Sequence, residues 1–147
     1  MPEPVASPGP DESRPRPRVL LADDHPEILR HVVRLLTPAC TIVGAVGDGR
    51  EAIAAVASLA PDVLLLDITM PGMSGFDVAR RIHGEYPSVA VVFLSMHQDE
   101  DLIRVAYSLG AADYVTKSRL ATDLLPAVLA AHQSPERQPP ELKRRAG

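Results

Sequence analysis

Three kinds of reactive side chain stand out in this chain because each follows a short apolar run. Asp23 and Asp24 come after residues 19–22, Asp67 after 63–66, Ser95 after 90–94, and Lys117 after 113–115 and Thr116. Gathered at one rim, the carboxylates would repel: two unit charges 4 Å apart interact by ~4 kcal/mol at an effective dielectric of 20. Such a cluster calls for a cation. A few oxygen donors suit Mg²⁺, which keeps several waters and is completed by a phosphate oxygen, whereas zinc would want a cluster of thiolates or imidazoles. Lys117 adds a point charge and Ser95 a hydroxyl donor, and together they can hold the remaining oxygens of a phosphoryl group. One carboxylate must then attack phosphorus while the others hold the metal. Asp67 is the expected nucleophile, because it ends the most buried run and Pro71, Gly72 and Gly75 can turn the backbone sharply beyond it.

The elements that would bring these residues together are readable from the hydrophobic pattern. Short β-branched or leucine-rich runs alternate with longer amphipathic stretches, the pattern of βα units around a parallel sheet. Strands are expected at 19–22, 41–46, 63–66, 90–94 and 113–115. The third and fourth are continuously apolar, as strands covered on both faces should be. Pro26 stands at a first helical position, ahead of Ile28, Leu29, Val32, Val33 and Leu36 on one face. Asp48 with Glu51, and Ser74 with Asp77, read as helix starts. Asp99, Glu100 and Asp101 place negative charge where a fourth helix dipole favours it. A fifth helix is expected over about 122–131, with Pro126 tolerable only near its first turn. The fold class is therefore α/β, a doubly wound five-stranded parallel sheet of order 2-1-3-4-5 with helices on both faces. Its ligands bind outside the carboxyl ends of the strands.

Composition bounds the rest. The chain has 147 residues, 46% hydrophobic and 23% charged, enough for one core and too few for two comfortable domains. Residues 1–17 are rich in proline, serine and charge, and are expected to form a disordered extension. Residues 18–133 form the expected domain, and 134–147 a flexible proline-rich and basic tail. No apolar run is long enough for a signal peptide or a membrane span, so a cytoplasmic location is expected. The single Cys40 reads as a small buried hydrophobe. A net charge of −4 gives no general attraction for nucleic acid, and the three basic residues 143–145 read as a solvated end.

Taken together, these residues resemble the receiver domains of two-component response regulators over about residues 18–131. Asp23-Asp24 is similar to the family's acidic pair. Asp67 with Met70, Pro71 and Gly75 is similar to its phosphoacceptor loop. Ser95 stands at the switch hydroxyl, Tyr114 at the switch aromatic and Lys117 at the conserved-type lysine. The separations of 43, 28 and 22 residues between Asp24, Asp67, Ser95 and Lys117 match as well. The resemblance implies a flavodoxin-like receiver fold and phosphotransfer to Asp67 from a sensor histidine kinase or phosphotransfer protein. It implies Mg²⁺ held by Asp24, Asp67 and the backbone carbonyl of Thr69, with Asp23 acting through water. Phosphorylation would draw Ser95 inward and let Tyr114 follow, biasing the fourth helix and fifth strand between two arrangements. Thr69 and His97 would tune hydrolysis. The chain would be no enzyme beyond its own phosphotransfer and dephosphorylation. Its partners would include a kinase, a downstream protein or a DNA-binding output domain lying outside this chain, and a second copy in a homodimer.

The opening from Leu21 through Pro26 further resembles the branch that usually carries a LuxR-type helix-turn-helix output, hence transcription regulation. Two departures are visible. Ser118 follows Lys117 where many receivers have a proline in a cis bond, and a cis bond before serine would cost ~3 kcal/mol. No output domain follows residue 133 in this sequence, which reads as a stand-alone receiver or as the receiver part of a longer regulator.

Blander readings compete. Asp23-Asp24 alone would cap the first helix, Tyr114 alone would fill the core, and His25 alone would be a structural or solvent-exposed loop residue outside the site. Three other functions compete with the switch. One is a phosphorylation-independent protein-binding module. Another is a haloacid-dehalogenase-type hydrolase, which wants an acid where Thr69 stands. The last is a nucleotide-binding domain, whose glycine-rich cradle is replaced by Asp23-Asp24-His25-Pro26.

Overall fold

The structure, a computed structural model, describes residues 16–133. The expectations for residues 1–15 and 134–147 lie outside them. Five strands, β1 (Arg18–Ala22), β2 (Thr41–Val46), β3 (Val63–Asp67), β4 (Ala90–Ser95) and β5 (Asp113–Thr116), alternate with five helices, α1 (Pro26–Leu36), α2 (Gly49–Leu59), α3 (Gly75–Glu85), α4 (Glu100–Ser108) and α5 (Leu120–Gln133). All strand pairs are parallel, in the order β2-β1-β3-β4-β5, as expected.

Alternation within the central strands explains the three layers. Val19, Leu21, Val63, Leu65, Val92 and Leu94 point to one face, where Val32 and Leu36 of α1 and Leu120, Leu124 and Val128 of α5 cover them. Leu20, Ala22, Leu64, Leu66, Val91 and Phe93 point to the other, against Ala52 and Val56 of α2, Val78 and Ile82 of α3 and Ala106 of α4. Every residue of β3 and β4 is buried, which is why both read as unbroken apolar runs. Cys40 packs into the first cluster, and burial pushes its thiol pKa up.

Helix starts follow their capping residues. Asp48 accepts from Glu51 N–H, Ser74 from Asp77 N–H, and Asp99 from the N–H groups of Asp101 and Leu102. At α1 the N-cap is His25, with Pro26 in the first turn. The acids before it do not cap the helix, and Asp23 instead accepts from the His25 N–H at 2.8 Å.

Ahead of β1 the Arg16 guanidinium donates to the carbonyls of Thr37 and Cys40, and Pro17 accepts from Thr41 N–H. One expectation changes. Helix α5 starts at Leu120, so Pro126 is its seventh residue and lies in the interior rather than the first turn. The reason is burial, because Leu120, Leu124, Ala127, Val128 and Ala131 form the buried stripe and the helix must include the first of them. The missing proline after Lys117 leaves the isomer there open in the sequence, and no peptide bond among the described residues is cis. The Lys117–Ser118 bond is trans and opens a 3-10 turn over Lys117–Arg119 that leads into α5.

Candidate functional site

Strand register gathers the reactive residues. Ala22 lies level with Leu66, which puts Asp23 beside Asp67. Asp67 lies level with Leu94, one residue before Ser95, and Ser95 lies level with Thr116, one residue before Lys117. All four therefore emerge at the carboxyl rim of the sheet, and all four are buried: Asp23 is 1% exposed, Asp67 3%, Ser95 4% and Lys117 8%. Aspartate and lysine are almost never so buried unless paired.

Their pairing is compact. Lys117 Nζ lies 2.7 Å from Asp23 Oδ2 and 3.4 Å from Asp67 Oδ2. These are ion-pair distances, but Asp23 Oδ2, Asp67 Oδ2 and Lys117 Nζ have no aligned hydrogen-bond partner. On its other side Asp67 Oδ1 accepts the Thr69 N–H at 3.2 Å. Burial pushes the Asp67 carboxyl above its ordinary range and the charge of Asp23 adds to the effect. Lys117 and the Thr69 N–H pull it back only in part. One cation thus serves two buried carboxylates, with Asp24 close by.

The loop after β3 holds Asp67 in place through a tight approach. A Cβ on Gly75 would stand 2.3 Å from the Asp67 carbonyl oxygen and 2.8 Å from Ile68 Cα, so only glycine lets α3 begin there. Met70 is buried and Met73 packs against the same core cluster. Beyond β4, Ser95 Oγ accepts the His97 N–H at 3.1 Å, and the Tyr114 hydroxyl donates to the His97 carbonyl at 2.8 Å. The hydroxyl and aromatic expected to act as a switch therefore meet on one residue, His97, whose own side chain is exposed. Thr69 also exposes its side chain.

Sequence reasoning left one residue outside this group. His25 Nδ1 lies 2.9 Å from Asp23 Oδ1, 3.3 Å from Asp24 Oδ1 and 3.9 Å from Asp67 Oδ2. The ligand atoms of Asp23, Asp24, His25 and Asp67 all fall within 4.8 Å of one another. The available signal was its place directly after the acidic pair and before Pro26, which holds the residue preceding it in extended backbone.

The family model for the response regulator receiver domain matches residues 19–129. The chain belongs to that family. This receiver is 36% identical over 117 residues to the uncharacterized transcriptional regulatory protein YxjL of Bacillus subtilis, covering 78% of the chain and 53% of YxjL. It is 35% identical over 112 residues to the nitrate/nitrite response regulator protein NarL of Escherichia coli, covering 75% of the chain and 52% of that protein. It is also similar to the structure of a signal receiver domain from the NarL response regulator of Mycobacterium tuberculosis, with a TM-score of 0.78 and 32% identity over 82% of this chain and 99% of that one. The receiver spans about half the length of the curated relatives it matches. None of its helices, among the described residues, is long and apolar enough to cross a membrane.

Proposed function

We propose that Asp67 accepts a phosphoryl group from the phosphohistidine of a sensor histidine kinase or phosphotransfer protein. The observation that carries this reading is the buried Asp67 carboxylate at the sheet rim, its Oδ2 facing Lys117 with no aligned hydrogen bond of its own. An Asp67 oxygen attacks phosphorus as the phosphorus–nitrogen bond breaks. The electron pair leaves with the imidazole nitrogen, and an acyl phosphate remains. Lys117 is placed to hold one phosphoryl oxygen by charge, and Ser95, once turned from the His97 N–H, to donate its hydroxyl to another.

The donor set fits Mg²⁺: clustered carboxylates, with two buried oxygens that lack aligned hydrogen bonds. Asp24, Asp67 and the Thr69 carbonyl would hold it directly and Asp23 through water. When bound it would neutralise the carboxylates and the charge that develops on the transferring group. Movement of Ser95 toward the phosphoryl group would release the His97 N–H and, through the His97 carbonyl, free the Tyr114 hydroxyl. The α4–β5 face is thereby coupled to the state of Asp67. That face would pass the signal to a second copy, to a downstream protein, or to a DNA-binding output domain beyond this chain. The protein would act in the cytoplasm and turn over only its own phosphoryl group, with Thr69 and His97 tuning its hydrolysis.

Intact-mass measurement after incubation with a small phosphodonor and Mg²⁺ tests the assignment. One phosphoryl adduct is expected on wild type, and none on Asp67→Asn or after removal of the metal with a chelator. Labelling that persists in Asp67→Asn would overturn the site. An unlabelled wild type that still binds a partner through its α4–β5 face would favour the phosphorylation-independent binding module.

A further inference from the structure

We infer that Tyr107 and Asp113 form a latch that holds α4 against β5 while Ser95 is still bonded to the His97 N–H, and so set how readily the rim passes to its phosphorylated arrangement; this rests on the phosphoacceptor reading of Asp67. The Tyr107 hydroxyl, on α4, donates to Asp113 Oδ1 at 3.1 Å across the turn that joins α4 to β5. The same oxygen accepts the Tyr114 N–H at 2.8 Å. Tyr114 is thereby held at both ends, its N–H by Asp113 and its hydroxyl by the His97 carbonyl. The His97 N–H in turn donates to Ser95 Oγ. One chain of hydrogen bonds therefore runs from Ser95 at the rim, through His97 and Tyr114, to Tyr107 on α4.

A single bond matters there because little else fixes α4. Ala106 is its one buried residue, against two to five in each of the other helices, and elements with few buried apolar side chains shift most readily. The Tyr107 ring is partly buried against the second apolar cluster, as is that of Tyr114. Burial and the Asp113 carboxylate push the Tyr107 phenol pKa well above its ordinary value. The hydroxyl therefore keeps its proton at neutral pH and donates to the carboxylate, in a bond stronger than one between neutral groups. The start of α4, capped by Asp99, follows closely on His97. Displacement of His97 by Ser95 and Tyr114 thus reaches α4 at its start, while the latch resists at its end. A bond made in only one of two arrangements weights the equilibrium toward that arrangement, so the Tyr107 hydroxyl holds the switch back.

Hydrogen exchange read by mass spectrometry, and phosphorylation by a small phosphodonor with Mg²⁺, test this on the full chain. Tyr107→Phe keeps the ring and removes only the hydroxyl. Before any phosphodonor is added, its α4 amides are expected to exchange roughly fivefold faster than in wild type, with β1 and β3 unchanged as the sign of an intact fold, and its adduct is expected to form roughly fivefold faster. Asp113→Asn, which keeps an oxygen acceptor without the charge, is expected to fall between the two. Exchange of α4 equal to wild type overturns the latch. So does faster exchange with a phosphorylation rate equal to or below wild type, because a bond that merely staples the turn would loosen α4 without favouring the phosphorylated arrangement. A wild type that takes no adduct overturns the phosphoacceptor reading, and the exchange comparison alone then decides whether the bond holds α4.

Discussion

Lys117 carries the electrostatics of the rim, since it is buried against two buried carboxylates. Removing one partner of a buried ion pair leaves charge that neither water nor protein compensates, at a cost of about 3 kcal/mol. Lys117→Met is therefore expected to lose about that much stability in urea unfolding, and to lose phosphorylation with it. A variant as stable as wild type would show that solvent reaches the pair. Asp67 makes the opposite prediction. Its pKa is raised on folding, chiefly by burial, so the folded state binds its proton more tightly than the unfolded chain does. Its contribution to stability is then lost as pH rises through the folded value. At neutral pH Asp67→Asn should unfold at a higher urea concentration than wild type, and the gap should close as pH falls below the ordinary carboxylate range. A gap independent of pH would mean that ionisation of Asp67 is not the cause.

At the scale of the element, capping and periodicity named the helices well, because Asp48 and Ser74 act on backbone within a few residues of themselves. Helix α5 was misplaced at its start because its beginning is set at a distance. Leu120 is buried only once α5 lies on the sheet, and that packing outweighs the missing N–H and the ring crowding of Pro126. Pro126→Ala restores a donor toward the Thr122 carbonyl at an exposed position. It should stabilise the protein by about 2 kcal/mol, readable as a rise in thermal midpoint. A fall would mean that α5 is already bent to suit the proline. The trans Lys117–Ser118 bond and its 3-10 turn belong to the same lesson: without proline the chain takes the ordinary isomer and coils directly into α5.

At the scale of the whole molecule, the sheet divides the interior into two apolar clusters that share strands and little else. Leu36 of α1 and Ile82 of α3 sit in different clusters, each fully buried. Truncating either to alanine should cost about 2–5 kcal/mol, and the double variant should equal the sum within about 0.5 kcal/mol. A larger departure in chemical denaturation would show that strain crosses the sheet.

Sequence alone determined the strand and helix order, the sheet topology and the residues that end each strand, because parallel βα units leave few ways to connect short apolar runs. It also brought Asp23, Asp24, Asp67, Ser95 and Lys117 to one rim. Two features were decided only by tertiary structure. One is the sharing of Lys117 between Asp23 and Asp67, since β5 lies beyond β4 and β3 from β1. The other is the place of His25, whose imidazole has no partner in its own helix and finds three carboxylates from two strand ends. Spacing along a chain reports which residues reach a rim, but distances between side chains at that rim depend on register, burial and the charges already there.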